Sequence, residues 1–318
     1  VTDSRRWPVH PAPIPGEALS SWLRRIAVRY DANLDDLVSD LGFGLGEPKD
    51  LDTFPPTGFA RELAQRTGVD VHRIQRMSLS GWAPWLIDQT EPDAEAFTTY
   101  TRQFSVLLQA GRRRPREISE WLAWLPSRQA LRACPLCIAT SVPPYPYQLL
   151  WLLSLTLSCP AHGCLLEPRA KAASYFSDWE RKPPTPRPVS VTALAMDSRT
   201  WQAMTTGSVD LPRRQVHAGI WFRLIRTIID ELGATLSECR TTAGRLINRF
   251  WKEAGYPQRL GPRSWQPHEA YPLDVQLRTL EATATAIHLL ESKVLIGQGT
   301  DAALFLPDDA TSGEQAGQ

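Results

Sequence analysis

The sequence predicts a mainly α-helical protein with an N-terminal helix-turn-helix-like domain, a small zinc-binding module of ribbon or finger type, and an all-helical C-terminal domain. Three observations carry this. Apolar residues recur at three-to-four spacing in stretches at both ends of the chain, the mark of amphipathic helices. Between them lie Cys134-Pro-Leu-Cys137 and Cys159-Pro-Ala-His162-Gly163, two pairs of soft ligands with two residues between members. A run of prolines, Pro183-Pro184-Thr-Pro186-Arg-Pro188, then reads as an extended linker. The expected order is an extended lead (1–17), the helix-turn-helix-like domain (18–118), the zinc module (119–180), the linker (181–192), the helical C-terminal domain (193–297) and a disordered tail (298–318).

The lead is extended because it carries Pro8, Pro11, Pro13 and Pro15. Leu19, Trp22, Leu23, Ile26, Ala27 and Tyr30 then share one helical face. After a break at Asp31-Ala-Asn33, with Asn33 placed to cap, Leu34, Leu37, Val38 and Leu41 line a second helix that Gly42 and Gly44 close. The layout returns at Ala60–Thr67, where Gly68 turns the chain, Asp70 caps, and Val71, Ile74 and Met77 line the next helix. Ala64, Gly68 and Ile74 occupy the small, turn and apolar positions of a helix-turn-helix, and Ala27, Asp31 and Leu37 repeat the intervals. Two related units are therefore expected.

Charge separates the two copies. The second helix of the first unit exposes Asp35, Asp36, Ser39 and Asp40, which repel a phosphate backbone and suit a protein partner. Its counterpart exposes His72, Arg73, Gln75 and Arg76, types that hydrogen-bond base edges and phosphates, although a solvated helix face has the same composition. Gly111-Arg112-Arg113-Arg114-Pro115-Arg116 is the densest basic run and reads either as a nucleic-acid contact or as an ordinary solvated loop. Trp82, Trp85, Trp121 and Trp124, spaced among leucines, are expected to pack in the core.

Cys134, Cys137, Cys159 and His162 form the strongest signal. Four such residues make a closed tetrahedral shell, which serves a structural zinc rather than a catalytic one that keeps a position open. A disulfide pair or four buried residues without metal are the alternatives. Cys164 is a spare thiol able to replace a ligand, and Cys239 reads as a small buried hydrophobe. The apolar residues between the pairs, from Tyr145 to Leu155, suggest a two-stranded strap. Beyond the linker, Trp221, Leu224, Ile225, Ile228, Ile229 and Leu232 define one helix, Leu246, Ile247, Phe250 and Trp251 another, and Val275 to Leu295 a last one.

Composition excludes several classes. Net charge is +1, so basic surface must be local, and the preference for arginine over lysine fits either phosphate recognition or a GC-rich genome. The longest apolar stretch, Leu149 to Leu157, falls well short of a membrane span, and no apolar leader precedes it, so a cytoplasmic protein without disulfides is expected. No glycine-rich phosphate loop precedes a lysine, Pro272 blocks a zinc-protease pattern at His268-Glu269, and neither a deaminase signature nor a nucleophile elbow occurs. No catalytic residue is assigned.

The run Pro15-Gly16-Glu17-Ala-Leu19-Ser20-Ser21-Trp22-Leu23-Arg24-Arg25, the Cys134/Cys137 pair, and Trp151 leading to Cys159-Pro-Ala-His162-Gly163-Cys-Leu165-Leu166 together resemble the TniQ/TnsD family of bacterial transposon target-selection proteins. The resemblance covers roughly the first half of the chain, with a weaker echo at Gly219–Leu224 and Ala286–Leu290. It implies a non-enzymatic adaptor for DNA transposition that couples double-stranded target DNA, or an RNA-guided complex, to an AAA+ transposition ATPase, with a homodimer expected. Members often carry a further Cys-x-x-Cys soon after the His-Gly, and here Pro168-Arg-Ala-Lys-Ala-Ala stands instead, so one zinc ion is expected. A protein adaptor with little direct DNA contact, a zinc-stapled transcriptional regulator and a zinc hydrolase are the other readings.

Overall fold

The computed structural model describes residues 6–44, 48–91, 93–113, 115–126, 131–168, 179, 182–234, 241–256 and 266–307. Cys239, Arg114 and most of the stretch after Pro168 lie outside the described residues. The chain is mainly helical and divides into two compact units that each take two pieces of sequence: 1–92 with 122–189, and 93–121 with 190–318. This division cuts across the expected segments, because 93–121 packs with the C-terminal half rather than with the helix-turn-helix residues. No described helix is long and apolar enough to cross a membrane.

In the first unit, α1 (Leu19–Arg29) and α2 (Leu34–Asp40) form one helix-turn-helix pair, and α4 (Phe59–Thr67) and α5 (Val71–Gln75) form the second, with α3 (Pro48–Thr53) between them. The two turns are built alike. Asp31 and Gly68, the matched turn positions, both take positive φ, 51° and 73°. Asn33 and Asp36 close a capping box at α2, and Asp70 accepts from the Arg73 amide at α5, as expected from the sequence. Trp22, Leu23, Ile26, Leu37, Val38, Phe59, Leu63 and Ile74 bury one shared core. The proline-rich lead is strapped across this core: the Trp22 indole donates to Pro11 O at 2.8 Å and Trp7 N to Arg66 O at 2.8 Å.

The rest of the first unit is short elements. β1 (Arg132–Ala133) precedes α7 (Pro135–Ala139), and β2 (Ser158–Cys159), β3 (Cys164–Leu165) and β4 (Glu167–Pro168) follow. β1 pairs with β4 and β2 with β3, both antiparallel. The expected strap over 145–155 is absent: Leu149–Leu152 coil into a 3-10 turn, and residues 149–153 are buried throughout. Continuous burial explains the misreading, since an unbroken apolar run carries no period to separate strand from helix.

In the second unit, α6 (Ala96–Arg102), α8 (Val191–Thr206), α9 (Ala218–Leu232), α10 (Thr241–Glu253) and α11 (Leu273–Glu291) gather around α9, most of whose residues are buried. The structure adds a small hairpin to this helical set, β5 (Ser208–Asp210) with β6 (Gln215–His217). Trp121, Phe97 and Tyr100 stack edge to face in its core. The Arg226 guanidinium pairs with Glu269 in full burial, and the Trp121 indole donates to the same carboxylate at 3.1 Å. The disorder expected from residue 298 does not hold for residues 298–307. Residues Thr300–Phe305 form a 3-10 helix with Phe305 buried, and Gly299 lies so close to Ser105 that any Cβ would collide with its carbonyl oxygen. Residues 308–318 lie outside the described residues.

Candidate metal centre

Cys134 caps the N-terminus of α7, where Pro135 needs no amide partner, and its sulfur accepts from the Cys137 amide at 3.4 Å. One turn of helix thus presents both thiols to the same side. The second pair sits on the β2–β3 turn: the His162 and Gly163 amides donate to Cys159 O at 3.2 and 2.8 Å, and Gly163 takes φ 60°, which folds the imidazole back over the cysteine. The buried Arg132 guanidinium donates to Thr156 O and Leu153 O at 2.9 and 2.6 Å, tying the strand before the first knuckle to the chain before the second. Glu167 on β4 holds Arg187 through two contacts of 2.6 and 2.9 Å.

The four ligand atoms lie within 4.8 Å of one another. His162 Nδ1 is 3.3 Å from the Cys134 and Cys137 sulfurs and 3.5 Å from that of Cys159, and the Cys137 and Cys159 sulfurs are 3.7 Å apart. Zinc with Zn–S of about 2.3 Å and Zn–N of about 2.0 Å in a tetrahedron needs edges of roughly 3.8 Å between sulfurs and 3.5 Å from sulfur to nitrogen. The set fits, and it can hold a metal ion compatible with zinc. Hydrogen bonds among the thiols pull the Cys134 thiol below its usual range and push the Cys137 thiol above it, so these sulfurs titrate as one coupled set. Cys164 is the near miss. Its sulfur is 3.5 Å from Cys134, but it stands outside the four-member group, and burial pushes its thiol up to about 12.

The remaining sequence candidates fall in different places. On α5 and its C-cap, His72, Arg73, Gln75 and Arg76 are exposed. Two of them nonetheless have partners within the unit: Arg73 donates to Pro13 O at 2.6 Å, and the Arg76 guanidinium lies 5.9 Å from the rings of both Trp82 and Trp85. The His72 and Gln75 side chains meet each other, Nδ1 to Oε1, at 3.2 Å. Asp35, Asp36 and Asp40 are exposed on α2, where Asp36 serves the cap and Asp40 accepts from the Trp7 indole at 3.1 Å and faces Arg66 at 3.4 Å.

The arginine loop belongs to the second unit, and there the structure gives two of its members another role. Arg113 pairs with Asp230 at 2.8 Å and approaches Glu231 at 3.9 Å, while Arg116 pairs with Asp230 and covers the Phe97 ring at 4.6 Å. Their charge is met within the unit by these carboxylates. Arg112 is half-buried beside Gln109.

One group of residues that the sequence shows only as part of the family motif has a structural role. Buried Glu17 accepts from Ser21 Oγ at 3.0 Å and pairs with Arg25 at 2.6 Å, and Ser21 in turn accepts from the Tyr147 amide at 2.8 Å. Ser20 donates twice to buried Asp52, at 2.7 Å each. The Glu17-x-x-Ser20-Ser21 run therefore locks the first helix pair to the chain leading into the second knuckle. Its signal was the clustering of polar residues at the start of an otherwise apolar helix.

Two helix-turn-helix pairs beside a Cys3His cluster able to hold a metal ion make this a mainly helical protein with a candidate zinc module. The chain belongs to the TniQ family, whose model matches residues 8–166, half of the chain and all four candidate ligand positions. TniQ proteins serve target selection in transposition, working with partner complexes. No curated protein and no solved structure gives a match to the chain.

Proposed function

We propose that this chain is a non-enzymatic target-site adaptor for DNA transposition, in which one structural zinc on Cys134, Cys137, Cys159 and His162 braces the paired helix-turn-helix motifs. The exposed face of α5, led by His72 and Gln75 and flanked by Arg76, contacts double-stranded target DNA. The acidic face of α2, centred on Asp35, is turned to a protein partner, and an AAA+ transposition ATPase is the recruit. The observation that supports this most is the family match lying over residues whose two similar helix pairs have second helices of opposite charge, acidic at α2 and basic at α5. Groove entry by the acidic copy would bring carboxylates against phosphates, whereas the basic copy meets them favourably.

The test is the salt dependence of duplex binding by the intact protein. Log affinity should fall with log salt at a slope of about 0.9 per phosphate neutralised, and H72A/Q75A should weaken binding without lowering stability. Salt-independent affinity, or unchanged affinity in that variant, contradicts the reading. A second reading has its own support: α5 is only five residues long, and Arg73 and Arg76 are already engaged. A protein adaptor that bridges an RNA-guided complex to the ATPase, with little direct DNA contact, predicts no shift of bare duplex at any salt.

A further inference from the structure

Among the described cysteines, Cys164 alone stands outside the four-residue group, and the backbone fixes it from both sides. It pairs with Cys159 across β2 and β3, and on its other edge it bridges to Pro188. Leu165 N donates to Arg187 O at 2.8 Å and Val189 N to Gly163 O at 3.2 Å, so three neighbouring stretches of chain hold this residue in register. Its side chain is buried, and its sulfur lies 3.5 Å from that of Cys134. Cys134 is held in turn as the N-cap of α7, its sulfur accepting from the Cys137 amide at 3.4 Å. A disulfide between the two needs their sulfurs roughly 1.5 Å closer than they stand, a movement that side-chain rotation can supply.

The metal reading gives these groups different roles. Cys134, Cys137, Cys159 and His162 are the ligands, so their lone pairs are committed to the ion, whereas the Cys164 thiol touches a ligand without being one. A free thiol beside an oxidisable thiolate is the arrangement of a resolving cysteine. His162 is exposed and Cys137 half-buried, which opens the cluster to a small oxidant on that side, while Cys134 and Cys164 are buried. We infer that Cys134 and Cys164 are a redox pair that closes as a disulfide on oxidation by a peroxide and takes Cys134 out of the metal shell. This rests on the metal site proposed above and adds its regulation.

The chemistry balances in two steps. The Cys134 thiolate attacks one peroxide oxygen: an S–O bond forms, the O–O bond breaks, and hydroxide leaves behind a sulfenic acid. The Cys164 sulfur then attacks the Cys134 sulfur: an S–S bond forms, the S–O bond breaks, and the Cys164 proton departs with the hydroxyl group as water. Two sulfurs are oxidised, and one hydrogen peroxide is reduced to hydroxide and water. A disulfide sulfur is no longer a thiolate donor, so the shell falls to Cys137, Cys159 and His162 and loses its closed form. Cys137 and Cys159 are 3.7 Å apart, but both are ligands, which leaves Cys164 as the thiol free to attack.

The experiment exposes the full chain, purified with its zinc, to hydrogen peroxide, and follows released zinc with a chromogenic chelator. Remaining thiols are then alkylated and disulfides mapped by peptide mass spectrometry. Wild type should release its zinc, yield a peptide linking Cys134 to Cys164, and recover both thiols and bound zinc after dithiothreitol. C164S should carry zinc beforehand as wild type does, but without a resolving thiol its Cys134 runs on to the sulfinic acid, and most of its zinc binding is lost for good. The wild-type map needs no variant, so it decides the matter even where C164S folds poorly. Zinc-loaded wild type that resists peroxide or links another pair, such as Cys137 with Cys159, overturns the redox pair and leaves the metal site standing. C164S recovering its zinc as fully as wild type does the same. Wild type purified without zinc overturns both.

Discussion

Replacing Arg113 by alanine separates a structural arginine from a DNA-contacting one. The guanidinium donates to Asp230 at 2.8 Å and to Phe104 O at 3.0 Å, with Glu231 at 3.9 Å, and its side chain is 11 % exposed. Burial lowers its own pKa, so the charge is retained by its carboxylate neighbours and not by water. Breaking a buried pair from one side costs about 3–5 kcal/mol. The lower end applies, because Asp230 keeps Arg116 and Glu231 can take up a proton. About 3 kcal/mol corresponds to a melting-temperature drop of roughly 6–12 °C for a unit of this size. Thermal and urea unfolding of R113A measure it, with duplex binding assayed below the transition. A variant as stable as wild type that binds DNA more weakly, with a shallower salt slope, would refute the reasoning and restore this loop to the nucleic-acid surface.

Other consequences follow from single groups. Burial raises the Glu231 carboxyl from 4.5 to about 7, so the folded state keeps a proton that the unfolded chain has released across that window. Its contribution to stability is complete below about pH 4.5 and is lost as the pH climbs through about 7, a difference of about 3 kcal/mol. E231Q should therefore gain roughly that much relative to wild type between about pH 5 and pH 8 in urea titrations, and a pH-independent difference contradicts the assignment. Gly68→Ala forces a side chain into φ 73° and brings its Cβ to 3.3 Å from Arg6 Nη1, which should cost about 1–2 kcal/mol in the same assay. An unchanged urea midpoint would show that the second turn is not held in the left-handed region.

The helix-turn-helix pairs were legible because each is local: apolar spacing, a capping Asn33 or Asp70 and a turn residue at Asp31 or Gly68 are all read within a few positions. The metal ligands were legible for the same reason, as each pair is a tight turn. What was missed depended on the tertiary environment. Helix α8 buries Asp197 and Thr200 along with Ala193, Met196 and Ala203, so it shows little amphipathic contrast, and the expectation of an all-helical domain over 193–297 carried no separate helix there. The roles of Arg113 and Arg116 depend on Asp230, more than a hundred residues away, and no spacing rule could supply that partner. The hairpin escaped because its strands are three residues each, too short for alternation to register. Cys164 lies two residues from His162 and reads as interchangeable with a ligand, but it pairs with Cys159 across the strands and stands outside the four-residue group, 3.5 Å from the Cys134 sulfur.

Metal content of the purified protein tests the central claim most directly. Wild type and C164S should each carry one zinc per chain by elemental analysis, while C134S and H162A should carry substantially less and unfold at lower temperature. Binding free energy at such sites, about 10–16 kcal/mol, matches or exceeds the stability of most domains. Wild-type protein free of stoichiometric metal, or zinc lost from C164S and fully kept in H162A, would contradict the account.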